Sequence, residues 1–158
     1  MNAAYTRPVV MAVQNVFETM IQIPVVHAKP FFKKDKRSTT DVMGMVTMSG
    51  AVSGFICLGL SKKLTFLLAS KLLGGQITEA SPDCIDAIGE MTNMIAGNAK
   101  SEFPDEGVSI SVPKVVFDSV SGPYSMICPV ISLPFKADGK DFYIDMGIVF
   151  DRQKERKV

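Results

Sequence analysis

The sequence contains two pairs of strand-like segments, and within each pair the two segments are separated by only a few residues. Residues 41–49 and 52–60 meet around Gly50, and residues 124–135 and 141–150 flank Asp138-Gly139, which is a strong hairpin signal. Parallel strands need a crossover of about a dozen residues or more, so links this short leave only antiparallel pairing. The sequence therefore predicts a largely antiparallel β-sheet.

Helical patterns separate these strands. Three helices are predicted: from Pro8 to Pro24, from the cap Ser61 to Gly74-Gly75, and from Ser81-Pro82-Asp83 to near Phe103. Segments 25–32 and 108–117 add two further strands. The resulting order of helix, three strands, two helices and three strands is a duplicated helix-plus-antiparallel-strands unit. It predicts an α+β fold with helices packed on an antiparallel β-sheet.

The length and the charge balance narrow the class of protein. With 158 residues the chain fits a single domain, with a core over about residues 5–150 and a basic C-terminal tail at 151–158. Its 17 basic and 16 acidic side chains give a net charge of +1, which argues against a nucleic-acid binder. The longest apolar stretch, residues 51–60, is far shorter than the ~20 residues that span a bilayer, and no signal peptide is visible. We expect a cytoplasmic protein without membrane insertion.

The residue types that usually bind metals or act as nucleophiles are few and scattered. His27 is the only histidine, and Cys57, Cys84 and Cys128 have no metal-binding spacing. An odd number of separated cysteines is typical of a reducing compartment, and buried packing is the more common role of each. The sequence predicts neither a metal site nor a cofactor of the chain's own.

The segment from residue 85 to residue 103 has two chemically different faces. At about 100° per residue, its apolar side chains gather on one side: Ile85, Ile88, Thr92, Ile95, Ala96, Ala99 and Phe103. The polar row on the opposite side consists of Asp86, Glu90, Asn93, Gly97 and Ser101. If the apolar side faces a core, the polar row must face water or a partner.

This row differs from an ordinary wet helix face. Asn93 lies mid-helix at some cost in helix propensity, and Gly89 and Gly97 each cost ~1 kcal/mol relative to alanine. At Gly97 the missing side chain would let another molecule approach closely, whereas Gly89 lies nearer the buried side. The row is consistent with a docking surface, and a merely solvated face is the alternative.

The segment also resembles a known family signature. The pattern Asp86-x-x-x-Glu90-x-x-Asn93, continued by Ile95-x-Gly97-Asn98-Ala99, is similar to the signature helix of the CheC, CheX and FliY chemotaxis phosphatases. CheC-type members carry the signature twice, but the first helix here, at residues 9–18, has no glutamate followed three residues later by asparagine. One copy, the length and the absence of an appended domain are most similar to the CheX type.

The resemblance implies a function, a partner and a role for each residue. Members dephosphorylate the phospho-aspartate of the response regulator CheY. By this likeness Asn93 enters the receiver's site and orients the attacking water, while Glu90 forms an ion pair with the receiver's lysine. Asp86, Gly97 and Met94 are expected to contact the partner; the Mg²⁺ belongs to the receiver, and the chain forms a homodimer by pairing or exchanging strands.

Three other interpretations remain open. One is a non-catalytic interaction module related to the flagellar switch protein FliM, whose middle domain is related in fold. A metal-dependent or nucleophilic hydrolase would need ligands or a nucleophile–base pair that the sequence does not supply. A small-ligand sensor has no distinctive pocket signal. Met91 and Met94 border the polar row and suit an adaptable partner surface, although core packing is the more common role of each. Asn98 points away from the row.

Overall fold

The computed structural model describes residues 2–34, 40–118 and 128–149. In that part of the chain three α-helices pack on an eight-stranded antiparallel sheet. The helices are α1 (Ala3–Val16), α2 (Lys62–Leu73) and α3 (Pro82–Ser101). The strands are β1 (Val25–His27), β2 (Phe31–Phe32), β3 (Val42–Gly50), β4 (Ser53–Leu60), β5 (Val108–Ile110), β6 (Lys114–Phe117), β7 (Val130–Ala137) and β8 (Lys140–Val149).

The sheet is symmetrical about its central pair of strands. Its order is β1-β7-β8-β4-β3-β5, with β2 also paired to β7 and β6 also paired to β3. The first half of the chain supplies the hairpin β3–β4, and the second half supplies the hairpin β7–β8. Strand β1 of the first half pairs with β7, and strand β5 of the second half pairs with β3, so each half also pairs with the hairpin of the other. This is the arrangement expected of a repeated unit, and the predicted α+β fold is confirmed.

The first helix begins earlier than predicted. Asn2 is its N-cap, and the Asn2 side chain accepts a hydrogen bond from the backbone N–H of Ala4 at 3.0 Å. Pro8 therefore lies inside α1 rather than in its first turn. After Val16 the chain continues as a five-residue π-helical turn, Phe17–Ile21, and leaves it at Gln22 in the left-handed conformation, with φ of 60°.

Two predicted strands are each divided in the structure. Segment 25–32 forms β1 and β2, and segment 108–117 forms β5 and β6. A proline lies in each interruption, Pro30 and Pro113, and proline cannot donate a ladder hydrogen bond. The described part of β7 starts at Val130; the predicted strand start at residue 124, the predicted strand end at Phe150 and the basic tail lie outside the described residues.

Candidate functional site

The start of α3 is set by a capping interaction. The Ser81 side chain accepts a hydrogen bond from the backbone N–H of Cys84 at 3.2 Å, and Pro82 occupies the first turn, where a missing N–H costs nothing. Asp83 follows at the positive end of the helix dipole. These local signals fix where the helix begins, and the spacing of its apolar residues then determines which of them share the buried face.

The inward face of α3 largely matches the predicted apolar stripe. Ile88, Thr92, Ile95, Ala96 and Ala99 are all no more than 1% exposed. One position of the predicted stripe differs, because Ile85 is 37% exposed. Met91 is 1% exposed and belongs to the core, the more common of the two roles considered for it.

The predicted polar row faces outward. Asp86 and Glu90 are exposed, and Asn93, Met94 and Gly97 are half-buried. Glu90 and Asn93 lie on neighbouring turns, where Cβ atoms are ~5–6 Å apart. Within the described residues neither side chain has a hydrogen-bond or ion-pair partner, so both can interact with another molecule. Around Gly97, no atom outside its immediate helix surroundings lies within 4 Å of the place where a Cβ would stand.

Thr92 determines how closely α3 lies on the sheet. Its hydroxyl donates to the carbonyl of Ile88 at 2.8 Å, and its side chain packs directly over Gly44 of β3. A methyl group on Gly44 would stand 3.2 Å from the Thr92 Cβ and overlap the Thr92 hydroxyl oxygen. Only glycine at position 44 lets α3 approach the sheet this closely. The sequence analysis missed this role, although glycine inside a strand is a recognised sign of close approach.

A groove runs beside the polar row. It has a volume of about 380 Å³ and lies between the end of α1 with its π-helical turn, the end of α2, and α3. Of the residues predicted from the sequence, the groove brings together Asp86, Glu90 and Met94, whereas Asn93 and Gly97 are not part of its lining. Sequence reasoning missed the residues that come from the other helices.

Within residues 2–34, 40–118 and 128–149, no group of three or more His, Cys, Asp or Glu side chains could hold a metal ion. None of the helices there combines the length and the hydropathy that a membrane span requires. All three cysteines are buried. Burial raises the pKa of the Cys84 thiol, which disfavours the reactive thiolate.

A sequence profile described as "Chemotaxis phosphatase CheX" matches residues 42–129, more than half of the chain, including all of α3. The chain belongs to the CheX family. A sequence search of curated proteins finds no match.

Solved structures agree with the CheX assignment. A CheX from Desulfovibrio desulfuricans is 29% identical with a TM-score of 0.84, covering 92% of this chain and 99% of that one. A CheC-like superfamily protein from Shewanella sp. PV-4 is 27% identical with a TM-score of 0.84, covering 94% and 99%. The fold is also shared by the CheX–CheY–BeF3–Mg²⁺ complex from Borrelia burgdorferi, at 22% identity and a TM-score of 0.79, covering 91% and 97%.

Proposed function

We propose that this CheX-family chain hydrolyses the aspartyl phosphate of a CheY-like response regulator, with Glu90 and Asn93 inserted into the receiver's site. The observation that carries the proposal is the outward projection of these two unpaired side chains from adjacent turns of α3. Membership in a chemotaxis phosphatase family, and a fold shared with a CheX bound to CheY, support the choice of partner.

The roles proposed for Asn93 and Glu90 follow from the chemistry of a carboxamide and a carboxylate. The Asn93 carboxamide can both donate to and accept from a water molecule, so it can direct that water at phosphorus without having to ionise. An acyl phosphate is already activated and the receiver supplies Mg²⁺, so positioning is the main requirement. Glu90 contributes a carboxylate that pairs with the receiver's lysine and holds the two proteins in the reactive arrangement.

The function is tested by the decay of phosphorylated receivers. Purified CheY-type receiver domains are phosphorylated with acetyl phosphate, and phosphate loss is followed with and without the chain. Accelerated loss supports the proposal. A receiver that binds but loses phosphate no faster would instead favour the non-catalytic, FliM-like interaction module.

Glu90→Gln removes the charge and keeps the size of the side chain. Hydrogen bonds to charged groups contribute about 1.5–3 kcal/mol, so kcat/KM is expected to fall roughly 10- to 100-fold. The matched control is Glu106→Gln, which changes an exposed glutamate in the loop after α3. Equal kcat/KM for Glu90→Gln and the parent would exclude the proposed ion pair.

Gly97→Ala is expected to affect the stability of the fold and the binding of the receiver in opposite directions. Because space around Gly97 is open, the substitution should stabilise the helix by up to ~1 kcal/mol and raise the melting temperature. The same methyl group stands where the receiver must approach, so KM is expected to rise. A higher melting temperature with an unchanged KM would show that nothing approaches closely at this position.

The homodimer and the cytoplasmic location stay predictions. Within the described residues β1 and β2 form one edge of the sheet, since each pairs only with β7, and Phe31 and Phe32 of β2 are 46% and 51% exposed.

A further inference from the structure

The groove beside Glu90 has an apolar floor that no other part of the described chain covers. Its apolar lining includes Val16 and Met20, Leu72 and Leu73, and Met94, from three separate helical segments. Met20 and Leu73 are each 47% exposed. Large apolar side chains held open around a concave surface are typical of an interaction site.

The rim of the groove is acidic. Asp83, Asp86 and Glu90 line it, and its lining contains no lysine, arginine or histidine among the described residues. All three carboxylates come from the N-terminal half of α3. A partner segment that fits this surface must therefore combine an apolar side chain with positive charge.

The local backbone gives an independent sign of function. The wall that contains Met20 is the π-helical turn Phe17–Ile21, and such turns occur frequently at functional sites. The left-handed Gln22 ends this turn. Met20, which lies in this turn, lines the groove together with residues of α3.

We infer that this groove binds a segment of the phosphorylated receiver, one that presents an apolar side chain beside a lysine or arginine. The inference rests on the proposed function, because Glu90 belongs both to the groove and to the catalytic pair. An apolar side chain held in the groove anchors the receiver, while its basic neighbour faces Asp83 and Asp86. The groove thus sets affinity and choice of receiver, and Asn93, outside it, sets the rate of hydrolysis.

Leu73→Ser tests the apolar part. The substitution removes the apolar contact that Leu73 makes with the bound receiver segment. KM should therefore rise about tenfold, with kcat unchanged at saturating receiver. The probe is the CheY-type receiver domain, phosphorylated with acetyl phosphate, whose decay the parent chain accelerates most. Met11→Ser is the matched control, because Met11 is 57% exposed on α1 and lies outside the groove.

Salt dependence tests the acidic part. KM of the parent should rise with ionic strength, and this dependence should weaken when Asp83 and Asp86 are both replaced by asparagine. A KM that is independent of salt in the parent would overturn the basic part of the inference.

The outcomes separate this inference from the proposed function. If the parent accelerates decay of no receiver, the proposed function fails. If the parent is active and Leu73→Ser keeps the parental KM, the groove inference fails alone. If Leu73→Ser changes the oligomeric state in light scattering but not KM, the groove joins two copies of this chain and the inference is wrong.

Discussion

Asn93→Ala is expected to lower kcat for receiver dephosphorylation by at least about 10²-fold, because a water that is no longer directed at phosphorus loses most of the benefit of positioning. The substitution should not unfold the protein. Asn93 is half-buried, it has no hydrogen-bond partner in the described chain, and alanine is the better helix former. The measurement is single-turnover phosphate loss at saturating enzyme, with circular dichroism to confirm the fold.

Asn98→Ala supplies the matched control for that experiment. It removes the same amide from the same helix, five residues further along, where the exposed side chain points away from the polar row. The proposal requires that only the Asn93 variant loses activity while both variants bind the receiver. Full activity in Asn93→Ala, or equal losses of activity in the two variants, would mean that Asn93 is not the group that orients the attacking water.

The two faces of α3 were predictable because helical periodicity is local. The cap at Ser81, the apolar spacing from Ile88 to Ala99 and the position of the polar row all depend on residues within a few turns of each other. The hairpins were predictable for the same reason, since a short link permits only one pairing. The errors lie at ends and interruptions, where a cap at Asn2 and the prolines at 30 and 113 outweighed the hydrophobic pattern.

The groove could not be predicted from the sequence. Met20, Leu73 and Glu90 come from three helical segments, and their proximity depends on how the helices pack rather than on any local spacing. The π-helical turn that carries Met20 has no pattern of its own in the sequence. What the sequence identifies is therefore the candidate chemistry, whereas the surface proposed to select the partner emerges only from the tertiary arrangement.

The distance between α3 and the sheet determines where the two side chains of the proposed chemistry lie. Glu90 and Asn93 flank a buried turn whose Thr92 side chain contacts Gly44 in the adjacent strand. A shift of that contact would move both side chains of the proposed site together, relative to the parts of the groove that the other helices supply. Activity should therefore depend on a residue that touches no substrate.

Gly44→Ala is expected to disturb the site without altering any residue of the polar row. The added methyl group overlaps the Thr92 hydroxyl, and overpacking of this kind costs about 1–3 kcal/mol. Relief requires α3 to move outward, and a displacement of ~1 Å at a reacting group can cost about 10²-fold in rate. The variant should therefore show both a lower melting temperature and a reduced kcat.

A double-mutant cycle identifies the contact responsible. Thr92→Ala removes the hydroxyl that the new methyl meets, so Gly44→Ala combined with Thr92→Ala should be more stable than the sum of the single changes predicts, by about 0.5–3 kcal/mol. Gly89→Ala is the control, because a methyl there would lie 3.6 Å from the Pro113 side chain, an ordinary contact. Strict additivity, or parental activity in Gly44→Ala, would mean that α3 does not depend on Gly44 for its position. Recovery of kcat together with stability in the double variant would trace the lost activity to the displaced helix, since Glu90 and Asn93 are unchanged throughout the cycle.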